Sequence, residues 1–489
     1  MLTIQLKSIF FKTVFFALVI FYSCSQPPQV NIEIDEEIPT SWQIPLPSQS
    51  DLTGKWWEVF ADTLFSEHLS TFQSNSPDLL SIVTRLEIAE QTAKINGGGI
   101  FPSINFGNSG NVRKQNLSAF GFSSNMLGIG SNDSTNEGSN SSVLSFDSQN
   151  YGLNVNMQWE LDIWGKLINQ RRAAYKNYEA SKNDLAYLQF SLSAQFTTVY
   201  YNAVESKIQY MLAVETSKAL EDVTKIVNDR YANGLASSLE LRLAESSLAV
   251  NKIQLESLKS QSKRTIRALE LLMGKYPSGT LGVSNKFSYE LPSVPDGLQS
   301  EILERRPDVR AAINNVEAST YRLMQSKRNR LPSFALTASG GTSTSDLKEL
   351  LNGDFSVWNL GANITAPIFQ GGRLKANVAL NESQLTLAEQ NAVKIILTAF
   401  SEVEQSLADD LAIQNQYEAV MIAEKQTEAA YQLAVDRYEN GVTDLITVLN
   451  SQQQWFNTRS SEVSIEKQRI INRINLLLAL GGDFSVNAQ

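Results

Sequence analysis

The stretch YGLNVNMQWELDIWGK, residues 151–166, alternates without a break over its first thirteen positions. Tyr151, Leu153, Val155, Met157, Trp159, Leu161 and Ile163 are large and apolar, whereas Gly152, Asn154, Asn156, Gln158, Glu160 and Asp162 are small, amide-bearing or charged. A period of two sends successive side chains to opposite sides of a strand, so the segment reads as a strand with one apolar and one polar face. What covers an apolar face of that length decides the fold.

Outward from this strand, the chain repeats itself. RYANG at 230–234 recurs as RYENG at 437–441, an offset of 207 residues that also carries 165–167 onto 372–374 and 273–274 onto 480–481. Further upstream, Pro77-Asp78 and Pro102-Ser103 recur as Pro307-Asp308 and Pro332-Ser333 at an offset of 230. The first copy therefore holds 23 extra residues, and the Gly-, Ser- and Asn-rich segment 119–150 has the composition of the exposed loop that would contain them.

Glycine and proline punctuate both copies alike. Between Gly165 and Gly234, and again between Gly372 and Gly441, lie 68 residues with neither; between Gly234 and Gly274, and between Gly441 and Gly481, lie 39. A 68-residue helix would be roughly 100 Å long at about 1.5 Å per residue. Leu185, Leu188, Leu192, Phe196, Val199 and Ala203 step by three and four along the first of these, a coiled-coil seam. Residues 307–329 and 442–480 placed end to end would reach roughly the same length, so one long helix lies beside two short coaxial ones, twice per chain. Asn-Gly stops each long helix, and Ser237 or Thr443 is positioned to cap the next. Strands are predicted near 103–112 and 151–163 in the first copy. In the second, Phe334, Leu336 and Ala338 alternate on one strand, and Trp358, Leu360, Ala362, Ile364, Ala366 and Ile368 on another.

Four strands about 4.8 Å apart are too few to close a barrel around anything. The helices run on from the strands, so they do not fold back over the sheet. The N-terminus points to a membrane: residues 1–23 carry Lys7 and Lys12 around a short apolar run, the pattern of a secretory signal. Several chains pooling their strands into one barrel, apolar side to lipid, would satisfy every strand, and strands of about ten residues match the length needed to span. Leu153, Val155, Met157 and Trp159 are then the lipid-facing residues, with Tyr151, Trp159, Trp164 and Trp358 near strand ends, where aromatic side chains anchor at the headgroups. The competing reading is a water-soluble sandwich with a protein core.

Composition narrows the function classes. The chain has 489 residues, 42% of them apolar, and a net charge of −10, so it is not wholly disordered, and with no basic stripe it is a poor partner for nucleic acid. Cys24 is the one cysteine and follows the signal directly; it resembles a bacterial lipobox cysteine, which becomes the acylated first residue, and the Pro-rich segment 24–50 reads as a tether. His68 is the one histidine, which leaves no metal set or triad, and a surface or belt position is expected for it. The glycines at 97–99 and 371–372 lack a phosphate-binding spacing and read as helix-to-strand switches, while Asp409-Asp410 reads as a solvated helix face. An enzyme is the weakest class.

Five motifs carry a family resemblance: WWEVFADTLF at 56–65, WELDIWGK at 159–166, LPSVPDGL at 291–298, ERRPDVRAA at 304–312 and APIFQGGRL at 366–374. They cover nearly the whole mature chain, and with them the protein resembles the TolC-like outer-membrane efflux family, in its lipoprotein branch serving resistance-nodulation-division pumps. The resemblance implies a mostly α, mixed α and β membrane protein: a homotrimer with a twelve-stranded transmembrane β-barrel, four strands per chain, continued by a periplasmic α-helical barrel. It implies a Gram-negative outer-membrane location and passive conduction of small molecules such as drugs from an inner-membrane pump and a periplasmic adaptor, with no cofactor beyond the lipid on Cys24. The implied organisation is signal 1–23, tether 24–50, first repeat 51–274, equatorial linker 275–306, second repeat 307–481 and tail 482–489.

The hairpin tips would be the adaptor-docking surface, through Gly234, Leu235, Ala236, Ser237, Gly441, Val442 and Thr443. Some family members place paired aspartates at the periplasmic aperture where this chain has Thr447 and Asn450; Glu240 and Asp444 are the carboxylates nearby. Channels for metal-ion efflux or type I protein secretion remain alternatives on the same fold. A non-conducting lipid-anchored coiled-coil scaffold or adhesin is the alternative of another class, although such a spacer needs no duplicated strand pairs.

Overall fold

The computed structural model describes residues 42–44, 62–116, 145–288 and 305–481, and the chain divides into two compact units. Residues 1–23, Cys24, most of the tether and residues 482–489 lie outside the described residues.

The first unit, built on residues 92–175 and 318–385, holds an antiparallel sheet. Its strands are β1 (Ser103–Asn116), β2 (Ser145–Leu161), β3 (Ser333–Thr344) and β4 (Ser356–Thr365), in the order β1-β2-β3-β4. Each copy of the repeat contributes one hairpin. The register sorts the side chains: Ile104 lies opposite Met157, Met157 opposite Ala338 and Ala338 opposite Leu360, giving one apolar row across all four strands. The next apolar row runs Phe106, Val155, Gly340, Trp358, and the polar row between these two runs Asn105, Asn156, Ser339, Asn359. A slip of one residue in any strand would exchange its faces, so this register is strongly specified by the pattern. The apolar face is bare within one chain, with Phe106 71%, Leu360 73% and Trp358 82% exposed. Close approach of β2 and β3 requires Gly341, where a Cβ would fall 1.8 Å from the Leu153 carbonyl oxygen.

Four strand limits differ from expectation, the first being that of β1, which runs on to Asn116 rather than ending near residue 112. β2 begins at Ser145, so residues 145–150 belong to the strand and not to a loop; Asn150 and Ser148 pair in register with Asn111 and Arg113. Backbone pairing continues there because a ladder needs peptide groups rather than apolar side chains. β2 ends at Leu161, and Ile163 falls in a turn in which the Asp162 carboxylate accepts from the Ile168 N–H at 2.7 Å. β4 ends at Thr365, leaving Ala366 and Ile368 outside it, since Pro367 has no N–H to give a ladder.

Seven α-helices occur among the described residues: α1 (Thr63–Asn75), α2 (Pro77–Gly97), α3 (Lys166–Ala232), α4 (Ser238–Leu272), α5 (Pro307–Arg328), α6 (Arg373–Glu439) and α7 (Leu445–Ala479). The duplication is explicit in their lengths, with α3 and α6 of 67 residues each and α4 and α7 of 35 each.

The second unit, built on residues 30–91, 176–317 and 386–489, is held by an aromatic core. Phe65, Leu69 and Phe72 recur at helical spacing on one face of α1 and meet Phe196, Tyr200 and Tyr201 of α3, with Phe72 stacked on Phe196 at 4.7 Å between centroids. Asp62 caps α1, accepting from the Leu64 and Phe65 N–H groups, while its other oxygen accepts from the Tyr200 hydroxyl at 2.5 Å and the Ser284 hydroxyl at 2.7 Å. A short connecting segment after α4 is pinned by Glu270, whose carboxylate accepts the N–H groups of Gly279, Thr280 and Leu281; burial raises its pKa, but these hydrogen bonds outweigh burial and bring it below the usual range.

His68 is buried rather than superficial, with Nε2 2.7 Å from the Gly282 carbonyl oxygen of that same segment. Along the predicted seam Leu185, Phe196 and Ala203 are buried, while Leu188 remains 39% exposed, outside the cover the chain supplies to itself. Asp410 is partly exposed and also has a partner, pairing with Arg473 of α7 at 3.0 Å, whereas its neighbour Asp409 accepts from Gln405. Arg306, from the ERRPDV motif, is almost wholly buried and donates to Asp308, to Glu402 at 2.6 Å and to the Ala479 carbonyl at 3.2 Å. Burial opposes its charge, but the bonds to Asp308 and Glu402 prevail and hold it above the ordinary arginine range.

Candidate functional site

Two surfaces have the geometry to act: the paired helix tips and the two faces of the sheet. Each tip begins where Asn-Gly ends a 67-residue helix. Leu235 N–H donates to the Arg230 carbonyl at 2.8 Å and Gly234 N–H to the Tyr231 carbonyl at 3.0 Å; Val442 with Arg437, and Gly441 with Tyr438, repeat both bonds. The left-handed glycines, φ +68° at Gly234 and +71° at Gly441, make this stop possible.

The next helix starts at once in both copies. Ser237 caps α4 in a reciprocal box with Glu240: Glu240 N–H donates to Ser237 Oγ at 3.2 Å, and Ser237 N–H donates to Glu240 Oε2 at 2.7 Å. In the second copy the cap is Asp444, not Thr443. Asp444 accepts from the Thr447 N–H at 2.8 Å and hydroxyl at 2.7 Å, bonds that hold its carboxyl below the usual range. The 207-residue offset maps Ser237 onto Asp444, so the correct cap was already encoded in the repeat. Of the tip residues, Leu235 is 68% and Val442 71% exposed, with Ala236 and Thr443 half-buried between them. Asn450, one helical turn after Thr447 on α7, lines an open groove of α6 and α7 with Val420, Gln453 and Asn457.

Two further residues join the tips. Arg230 donates to the Glu439 carbonyl at 2.9 Å and lies over the Tyr438 ring at 5.0 Å, and the Tyr438 hydroxyl reaches Glu240 Oε1 at 3.5 Å. Burial and then the Glu240 charge push the Tyr438 phenol up, so it stays a proton donor. Repetition of RY at both tips was the available signal: the Arg of one copy meets the Tyr of the other. Tyr431 stacked on Trp455, 5.6 Å between centroids, stiffens the second hairpin behind this contact.

On the sheet, Leu153, Val155, Met157 and Trp159 all fall on the apolar face, and Trp159 also donates through Nε1 to the Ile100 carbonyl at 3.0 Å. Trp164 donates to the Pro332 carbonyl at 2.7 Å. Among the described residues no helix is long and apolar enough to cross a membrane, and no group of three His, Cys, Asp or Glu side chains is disposed to hold a metal.

A mostly helical chain that carries two duplicated hairpins in one bare-faced sheet is the architecture of an outer-membrane channel. The family model for outer membrane efflux protein matches residues 69–275 and 298–482, and the chain belongs to that family. It is 26% identical over 470 residues to the pyoverdine export outer membrane protein OpmQ of Pseudomonas putida, covering 95% of this chain and 96% of that one. It is 28% identical over 439 residues to the toluene efflux pump outer membrane protein TtgF of the same species, covering 89% and 87%. The Campylobacter jejuni CmeC outer membrane channel superposes with a TM-score of 0.81 over 94% of this chain and 95% of that chain, at 23% identity. The fold is thus that of the trimeric TolC-like channels, in which each chain supplies four strands to a twelve-stranded barrel and its helices to a helical barrel, and the protein is an outer-membrane efflux channel.

Proposed function

We propose that three copies of this chain form the exit duct of a tripartite efflux system, passing small amphiphilic molecules outward without consuming energy themselves. A periplasmic adaptor and an inner-membrane pump supply cargo and driving force, and a lipid on Cys24 anchors each chain. The observation that carries this reading is the registered sheet. It gathers the large apolar side chains of four strands on one face, with Phe146 and Val357 the exceptions, and leaves β1 and β4 as open edges. Four alternating strands put β1 and β4 antiparallel, so β4 of one copy can pair with β1 of the next, and repetition closes a ring without free edges. Leu153, Val155, Met157 and Trp159 then face lipid.

At the helix tips, Gly234, Leu235, Ala236, Ser237, Gly441, Val442 and Thr443 present the adaptor with two short knuckles whose apolar members, Leu235 and Val442, are exposed. Glu240, Asp444, Thr447 and Asn450 bound the aperture, and the Arg230, Tyr438 and Glu240 contact ties the two hairpins into one resting arrangement. Relatives whose names specify pyoverdine export or toluene efflux support a small-molecule cargo. The test is export from cells lacking their own channel, together with conductance of the purified protein in planar bilayers. A cell-surface spacer with no pore would conduct nothing.

A further inference from the structure

The polar face of the sheet holds a feature that the channel reading does not assign. In the row Asn105, Asn156, Ser339, Asn359, each strand contributes one hydrogen-bonding and uncharged side chain at the same level. Asn156 is further steered by donating from Nδ2 to Asn154 Oδ1 at 3.0 Å. Room around this level is kept by glycine: Asn154, one row on, sits between Gly107 and Gly341.

Charge is excluded from the same face over almost its whole length. The two charged residues of the strands with this parity are Arg113, towards the β1–β2 connection, and Glu160, at the end joined to α3. Glu160 is neutralised by an ion pair with Lys166. Between them the strands present amide, hydroxyl and glycine, with Val357 of β4 the one apolar side chain. Such a wall exchanges hydrogen bonds with a passing polar solute at little net cost, because each bond replaces one to water. It has no fixed charge to attract one sign of ion or repel the other.

We infer that Asn105, Asn156, Ser339 and Asn359 form a neutral hydrogen-bonding collar around the bore of the barrel, one that admits hydrogen-bonding small molecules irrespective of their charge. Threefold repetition makes it a ring of nine amides and three hydroxyls. This rests on the trimeric channel reading, and it places discrimination by charge elsewhere in the assembly than the barrel.

The test uses the full-length protein carrying Asn156→Cys, reconstituted in planar bilayers, with cationic and anionic water-soluble thiosulfonate reagents added from the outer side, so that neither passes the helix tips. Each modification rate is normalised to that reagent's rate with a free thiol, and the parent protein, which keeps Cys24, gives the baseline. The expected result is modification by both reagents, seen as a change in current, at normalised rates within about threefold of each other. A preference above tenfold for one sign, or no modification by either reagent in a conducting pore, would overturn the collar. Asn359→Cys, in the same row on β4, provides the same reading should the first variant not assemble. A parent that forms no pore at all refutes the channel reading itself, a result distinct from a pore whose collar cysteine is unreactive or charge-selective.

Discussion

Val155 and Asn156 are adjacent in β2 and point to opposite faces, so the same substitution at each isolates the face from everything else. Arg in place of Val155 puts a guanidinium on the apolar face beside Phe106, in the row that continues through Gly340 to Trp358. In lipid that costs roughly 2–4 kcal/mol per chain near the bilayer midplane, to which loss of the Val155 and Phe106 cross-strand contact adds about 0.2–1 kcal/mol. Three chains share one barrel, so the penalty per assembly is on the order of 6–15 kcal/mol, comparable to the whole stability of an ordinary domain. Arg in place of Asn156 faces a water-filled bore and leaves the lipid contact untouched. The assay is urea-induced loss of the trimer in lipid vesicles, read by gel mobility without boiling. Val155→Arg is expected to abolish or severely weaken assembly, while Asn156→Arg keeps a midpoint close to that of the parent. Equal loss in the two variants, or a stable Val155→Arg trimer, would refute the assignment of faces.

Further outcomes follow from the helical unit. Arg230→Ala combined with Tyr438→Phe breaks the link between the hairpins and should raise resting conductance in planar bilayers several-fold with trimer yield unchanged; unaltered conductance would show that the link does not narrow the aperture. Replacing Gly234 and Gly441 together by leucine forces two residues into left-handed backbone, at about 1–2 kcal/mol each, and should abolish cellular export while trimers still insert; normal export would argue against docking at the tips. Arg306→Met leaves Asp308 and Glu402 without their shared cation and the Ala479 carbonyl without its donor, and thermal unfolding should show a loss of about 2–4 kcal/mol. Glu466 is pushed up to about 7 by burial first and by the Glu462 charge next, against Arg469 and Arg459. Its folded form holds the proton more tightly than the unfolded chain, so stability is full at low pH and declines as pH rises through the window from about 4.5 to about 7. Glu466→Gln should therefore stabilise the protein at pH 8 by on the order of 1–2 kcal/mol, after discounting for solvent screening, and change little at pH 4.

Much of this architecture was legible because it is periodic and duplicated. Sixty-eight residues free of Gly and Pro, bounded by glycines, became helices of 67, and alternation placed Leu153 to Trp159 on one face before any pairing was known. Where the pattern is carried by polar residues it was harder to read: residues 145–150 look like loop in composition, and only their partners across the ladder make them strand. The cap at Asp444 was misread as Thr443 because both residue types cap helices, although the repeat offset distinguishes them. Tertiary partners were the least visible. Arg230 and Tyr438 are 208 positions apart, and nothing local announces that one tip clasps the other. The burial of His68 against the segment after α4, and the pairing of Asp410 with Arg473, likewise depend on which distant parts of the chain become neighbours.

The mass of the lipid-embedded particle tests the central idea most directly, because the described residues of one chain form a four-stranded sheet with β1 and β4 at its edges. Three chains per particle is the predicted value. A single chain, folded and inserted with Leu153 and Val155 covered by its own residues, would contradict it.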